Sequence, residues 1–321
     1  MTVQTSRSLQ NPPSTRSQLQ RLMRLAEAQP PLRTAVVHPV DALSLAGAVE
    51  AARRGLIEPI LVGPTDRIRA AGHAAGLDLG AYALIDATHS HEAASKACQL
   101  AATGDAAAIM KGALHTEELM EAVVDAGSGL RTDRRMSHVF VLDVPSYPRP
   151  LLVSDAALNI APDLAAKRDI VQNAIDCAHA MDLAEPQVAI LSAIETVNPK
   201  MVSTVDAAAL CKMADRGQIV GGKLDGPLAF DNAISRQAAR AKGIVSSVAG
   251  QADILIVPDI ESGNMLAKQL FYLSNAQSAG IVMGARVPIM LTSRSDPEAS
   301  RLASCALAIL VSQHKPSKYV R

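Results

Sequence analysis

The sequence predicts an α/β protein of two domains built on parallel-rich sheets. Three observations lead there. The chain has 321 residues, more than one hydrophobic core ordinarily sustains, so two domains are the expectation. Short apolar runs alternate with stretches of helical spacing from about residue 35 onward. Repeated strand–helix units of this kind make parallel sheets with helices on both faces. Apolar residues make up 49% of the chain and aromatics only 2%, so Ala, Val, Ile and Leu fill the interior, as buried parallel strands require.

The elements follow in order. The first ~30 residues are polar, without the apolar core of a signal peptide, and read as a tail plus a helix. Ala35–Val40 is a strand, and Ala42–Arg54 has helical spacing with Leu45, Val49 and Ala52 on one face. Pro59–Val62 is a strand broken by Gly63-Pro64, and a helix runs on to about Gly76. Leu84–Ile85 is a short strand, followed by a helix from about His91; Ala106–Met110 is the next strand, after which Thr116 caps a helix. Gly127–Arg135 is a loop rich in Gly and Arg, and Ser137–Val144 is a strand. Three prolines within Pro145–Pro150 cannot continue a central strand, so a domain crossing belongs here. Beyond it come strands at Leu151–Ser154, Val188–Leu191, Ile219–Val220, Ile254–Val257, Ile281–Gly284 and Val287–Leu291. Helices are expected at Asp163–Met181, Thr204–Ala214, Phe230–Lys242, Asn264–Leu273 and from Pro297 to about Gln313.

Composition excludes several function classes. Lys plus Arg equals Asp plus Glu at 31 each, which argues against a dedicated nucleic-acid binder. No stretch approaches the ~18 uninterrupted apolar residues of a membrane span. Cys98, Cys177, Cys211 and Cys305 form no CxxC or zinc spacing and read as reduced core residues of a cytoplasmic protein. Gly221-Gly222-Lys223 lacks the upstream spacing of a P-loop, no GxGxxG follows the first strand, and no GxSxG elbow occurs. His115 and Glu118 stand one helical turn apart, but no further metal ligand accompanies them.

Chemistry-bearing residues gather at the predicted strand ends. Val287–Leu302 begins as a strand, presents Ser293 and Arg294 at its carboxyl end, and turns into a helix with Asp296 as N-cap, Pro297 at the first helical position, and Ser295 with Glu298 as a capping box. Backbone N–H groups, a positive dipole end and a guanidinium fork converge there, which suits phosphate or carboxylate. Lys111 and Thr116 follow the fourth strand. Arg131, Arg134, Arg135 and Ser137 surround the start of the fifth. Ser154, Asp155 and Asn159 follow the crossing strand; Asp225, Gly226 and Asp231 come next, then Gly263, Asn264 and Lys268.

Six of these segments together resemble the phosphate acetyltransferase and phosphate butyryltransferase family: MKGALHTEEL (110–119), GLRTDRRMSHVFVLDVP (129–145), LVSDAALNIAP (152–162), DGPLAFDNAIS (225–235), PDIESGNMLAK (258–268) and VPIMLTSRSD (287–296). The TSRSD form and the GLRT…SH loop look closer to the butyryl side. The resemblance implies reversible transfer of a short acyl group, acetyl or butyryl, from acyl-CoA to inorganic phosphate. It implies a fold like isocitrate and isopropylmalate dehydrogenases, with the site between two domains. Residues 1–148, completed by 289–321, would form the first and 149–288 the second. It further implies a homodimer with small-molecule substrates, and no metal, nicotinamide or other cofactor.

Carried over residue by residue, Arg294 and Ser293 would handle phosphate and developing charge, with Lys268 on phosphoryl or acyl oxygens. Arg131 or Arg135 would add charge; Ser137, Lys111, Thr116, Asn159, Gly226, Asp231 and Asn264 would line the substrates. The acetyltransferases carry an aspartate about two helical turns after the Ser-Arg pair. This chain has Ala299 and Ser300 at that distance, which leaves Asp296 as candidate base. Two alternatives stand beside this expectation: a non-catalytic homologue that binds the same ligands without a base, and a metal-dependent decarboxylating dehydrogenase of the same fold.

Overall fold

The computed structural model describes residues 17–291 and 296–314. The strands are β1 (Leu32–Val37), β2 (Ile57–Gly63), β3 (Ala83–Asp86), β4 (Ala108–Lys111), β5 (Ser137–Asp143), β6 (Leu151–Ser154), β7 (Gln187–Leu191), β8 (Lys223–Leu228), β9 (Ile254–Ile256), β10 (Gln277–Met283) and β11 (Ile289–Met290). The helices are α1 (Gln18–Glu27), α2 (Ala42–Arg53), α3 (Thr65–Ala74), α4 (Ser90–Thr103), α5 (Thr116–Val124), α6 (Leu164–Ala180), α7 (Val202–Asp215), α8 (Phe230–Ile234), α9 (Arg236–Ala241), α10 (Ile260–Leu273) and α11 (Glu298–Gln313).

All eleven strands join one sheet, in the order β3-β2-β1-β4-β11-β10-β5-β6-β9-β7-β8. The strands from β3 to β11 are parallel to one another, and so are those from β6 to β8. Antiparallel pairings β11–β10, β10–β5 and β5–β6 separate the two sets. An odd number of reversals makes the sets run in opposite directions. The carboxyl ends of β1, β4 and β11 therefore leave one side of the sheet, and those of β6, β9 and β7 leave the other. The proline-rich segment expected to cross between domains connects β5 to β6 within this continuous sheet, with Leu142 paired to Leu151.

Local chemistry explains several helix starts. Asp41, Asp163 and Asp259 accept from Ser44, Ala166 and Ser262 backbone N–H groups at 2.7, 2.8 and 2.8 Å, capping α2, α6 and α10. Ser17 caps α1, and its hydroxyl also donates to Asp143 Oδ2 at 2.5 Å, tying that helix to the end of β5. Every residue of α11 from Ser300 to Leu310 is buried, so it is an interior helix, packed on α1, α2 and β10.

Several boundaries differ from expectation. The strand expected at Ile219–Val220 is instead β8, which starts at Lys223 beyond a turn where Gly221 has φ 88°. β8 is an edge strand, which is why it tolerates Pro227. The single helix expected over 230–242 is broken at Ser235, which leaves helical geometry and caps α9 through Ala238 N–H. α10 begins at Ile260 rather than Asn264, and β11 holds only Ile289 and Met290. α11 starts at Glu298 with Pro297 as its flanking residue and no side-chain cap. Asp296 is thus not the N-cap, since it lies one residue too early. His115, not Thr116, flanks the start of α5.

Candidate active site

At the carboxyl end of β6 the chain makes a tight polar turn. Asp155, 2% exposed, accepts from the backbone N–H groups of Ala157, Leu158 and Asn159 at 3.0–3.1 Å and from Asn159 Nδ2 at 2.5 Å. Burial pushes its carboxyl upward, and these donors offset part of that rise. Asn159, also buried, bridges onward: Nδ2 donates to Met136 O at 2.9 Å, and Oδ1 accepts from Arg135 Nε at 2.8 Å. From α6, Asp169 accepts Arg135 N–H at 2.9 Å, while Asn173 Nδ2 donates to Arg135 O and to Ser137 Oγ, both at 2.9 Å. The start of α10 closes the turn: Asn264 Nδ2 donates to Ala156 O at 3.3 Å. A Cβ on Gly263 would lie 3.0 Å from Asp155 O and 2.7 Å from Val257 Cγ2, so only glycine permits this approach.

Five of the sequence-identified residues, Arg135, Ser137, Asp155, Asn159 and Asn264, thus meet in one network. The network also distinguishes the loop's arginines. Arg134 is drawn into an ion pair with buried Asp176. Arg135 has its backbone pinned and its Nε held, yet the residue stays exposed, so it offers a preorganised guanidinium. Arg131 is exposed. Lys268 is exposed on α10, a little over one turn beyond Gly263.

Other candidates stand apart. Lys111 is 8% exposed, and its ammonium donates to Leu114 O at 3.1 Å and Gly112 O at 3.4 Å. Thr116 opens α5. Met110 pairs with Met290, so Lys111 and Leu291 leave the sheet side by side. Ser293, Arg294 and the Ser295 half of the expected capping box follow and lie outside the described residues. Asp296 offers its carbonyl to Arg301 Nη2 at 2.8 Å. Gly226 packs where a Cβ would lie 2.7 Å from Ile190 O, so strand packing accounts for this glycine. Asp231 pairs with Lys242 at 3.3 Å, and Lys242 also holds Glu195 at 2.7 Å. Glu118 Oε1 lies 3.4 Å from His91 Nε2.

Sequence reasoning passed over Asp169, Asn173 and Arg301 as site-building residues. The first two sit on α6 four residues apart, a polar stripe on an otherwise buried face, and that interruption was the available signal. Arg301 is 7% exposed inside α11 and bore no local sign.

The family model described as phosphate acetyl/butaryl transferase matches residues 87–309. The chain belongs to this family. It is 57% identical over 308 residues to the phosphate acetyltransferase of Rhizobium meliloti, covering 96% of this chain and 98% of that protein. It is 41% identical over 283 residues to the phosphate butyryltransferase of Clostridium acetobutylicum, covering 88% and 94%. Of these two relatives, the acetyltransferase is the more similar over the whole chain. Among solved structures, a branched-chain phosphotransacylase from Enterococcus faecalis V583 superposes with TM-score 0.77 at 29% identity, covering 88% of this chain and all of that one. The α/β class and its parallel-rich architecture stand confirmed. Among the described residues no helix is long and apolar enough to cross a membrane.

Proposed function

We propose that this chain reversibly transfers a short acyl group between coenzyme A and inorganic phosphate, with acetyl the favoured group. One observation carries the reading: 57% identity to a phosphate acetyltransferase across nearly the full length of both chains. The site geometry supports it. Arg135 is held ready by Asn159 and Asp169, and a guanidinium in that state loses little freedom on meeting a phosphate.

In this reading the CoA sulfur attacks the acyl carbon of an acyl phosphate, a tetrahedral oxyanion forms, and phosphate leaves. A free thiol ionises near ~8.5, so a base assists. Arg294 and Ser293 are the proposed donors to phosphate and oxyanion, each such donor worth about 3 kcal/mol. Lys268 is assigned to phosphoryl or acyl oxygens. Asp296 is the proposed base. Lys111, Thr116, Asn159, Gly226, Asp231, Asn264, Arg131 and Ser137 complete the proposed substrate-binding set. The chemistry draws on no cofactor or metal. A cytoplasmic homodimer with residues 1–148 and 289–321 as one domain and 149–288 as the other completes the proposal.

A second reading has its own observation. Ser300 stands about two turns after the Ser-Arg pair and is buried, its hydroxyl 3.2 Å from Ser278 Oγ. A chain without a carboxylate there can bind the ligands and turn over slowly. The test measures CoA release from acetyl-CoA and butyryl-CoA with and without phosphate, and the reverse reaction from acetyl phosphate. Phosphate-dependent, reversible turnover is expected. Binding without turnover identifies the non-catalytic homologue, and phosphate-independent release identifies a thioesterase.

A further inference from the structure

Away from that network, three side chains converge where two helices end. Asp176 and His179 stand one turn apart near the C-terminus of α6, and His314 flanks the C-terminus of α11. One ligand-capable atom from each lies within 4.8 Å of the other two. Two imidazoles and a carboxylate form a donor set for Zn²⁺, Co²⁺ or Ni²⁺.

The surroundings suit that use. His179 Nε2 lies 2.7 Å from Gly221 O. A carbonyl only accepts, so Nε2 carries the proton and Nδ1 keeps its lone pair. If Nδ1 is the ligating atom, the Gly221 carbonyl on Nε2 is the usual outer partner of a metal-binding histidine. The ring is also seated tightly, because a Cβ on Gly221 would lie 2.4 Å from His179 Cε1. His314 Nε2 is buried without a hydrogen-bond partner among the described residues. The two rings stand edge to face with centroids 5.9 Å apart.

Asp176 is 1% exposed; it holds Arg134 on Oδ2 and Gln172 Nε2 at 3.3 Å on Oδ1. Carboxylates that ligate metals are commonly hydrogen-bonded at the same time, so these contacts are compatible with ligation. Two helix C-termini bring partial negative charge to the same place.

We propose that Asp176, His179 and His314 form a structural site for one divalent transition-metal ion. Such an ion staples the end of α11, the last described helix, to α6. Asp176 also holds Arg134, the neighbour of Arg135, so occupancy stiffens the arginine-bearing loop without touching the reacting atoms. The inference stands independently of the acyl-transfer reading.

The full-length chain, stripped with a chelator, is titrated with Co²⁺ and followed by its visible d–d absorption, then with Zn²⁺ by calorimetry. One equivalent per chain is expected. His179→Ala and His314→Gln should each weaken binding at least tenfold, and the double variant should abolish it. Zn²⁺ should raise the Tm of the wild type but not of the double variant. His314→Gln lies at a helix end, so it and the wild-type spectrum decide the matter if His179→Ala fails to fold. Absence of saturable binding by the wild type, or equal binding by the double variant, overturns the site.

Discussion

Replacing Asn159 by Ala removes three side-chain hydrogen bonds at once: to Met136 O, to Asp155 and from Arg135. Two involve charged partners, worth about 1.5–3 kcal/mol each, and the third about 1 kcal/mol. Simple addition gives roughly 4–7 kcal/mol. Arg135 is exposed and Asp155 keeps its three backbone donors, so water and the remaining amides recover part, and about 3–5 kcal/mol is expected. Chemical denaturation of wild type and variant measures this directly. The same substitution frees the Arg135 guanidinium to sample other rotamers, so kcat/KM for phosphate-dependent CoA release should fall tenfold or more, equivalent to about 1.4 kcal/mol. A double-mutant cycle with Arg135→Ala should return a coupling of about 1.5–3 kcal/mol. A stability loss below about 1 kcal/mol together with unchanged kinetics would refute both the network and its proposed role.

Further outcomes are expected elsewhere. Arg149 binds Asp253 through two 2.7 Å hydrogen bonds, and Asp253 is 2% exposed. Arg149→Ala should therefore cost about 2–4 kcal/mol by leaving a buried carboxylate with, among the described residues, the Gln187 backbone N–H as the remaining donor to it, while kcat stays unchanged. Burial lowers the His138 pKa from 6.5 to about 4. Between those values the unfolded chain binds more protons, so stability is complete above pH 6.5 and falls by about 3 kcal/mol as pH drops to 4. Denaturation at stepped pH should show this slope. His138→Phe should remove this contribution, leaving a separate slope of the same sign from buried His38, which burial also shifts downward. A Cβ on Gly112 would lie 2.3 Å from Val37 O, so Gly112→Ala should cost about 3 kcal/mol or more and lower the Tm, because β1 and β4 must part. Burial raises the Cys98 pKa to about 11 and those of Cys177, Cys211 and Cys305 to about 12. Cys98, Cys177 and Cys305 are buried as expected, whereas Cys211 is only half-buried; a thiol reagent at neutral pH should label none of them in the native chain within minutes and all four in denaturant, and rapid native labelling of Cys98, Cys177 or Cys305 would contradict their place in the core.

Legibility varied with the range of the forces involved. The βα alternation was readable because each buried strand and each helical face writes its period into consecutive residues. Caps were harder to read: Thr116 and Asp296 were the expected cap residues, whereas the structure caps α2, α6 and α10 with Asp41, Asp163 and Asp259, each reaching an N–H three residues on. β8 was misread because it is an edge strand with a mixed polar pattern, and β11 was overextended because an apolar run does not say how many of its residues pair. The break at Ser235 was missed because its residue type is as common in loops as at helix starts.

The candidate site followed the same rule. The residue types and their order named the family, and Asn159 and Arg135 were visible as candidates. That Arg135 is held by Asn159 while its neighbour Arg134 turns to buried Asp176 depended on α6 crossing behind the loop. No local pattern specifies which of two adjacent arginines meets a helix packed from 34 to 42 residues away in sequence.

By itself, then, the chain's linear order determined the α/β class, the run of elements and the kind of chemistry its polar segments suit. All three rest on local periodicity and motif spacing. The tertiary structure alone decided that both sets of strands share one sheet and run in opposite directions, and which polar residues become partners. Those outcomes depend on contacts between distant segments, where burial forces each buried donor and acceptor to find whatever the packing brings within reach.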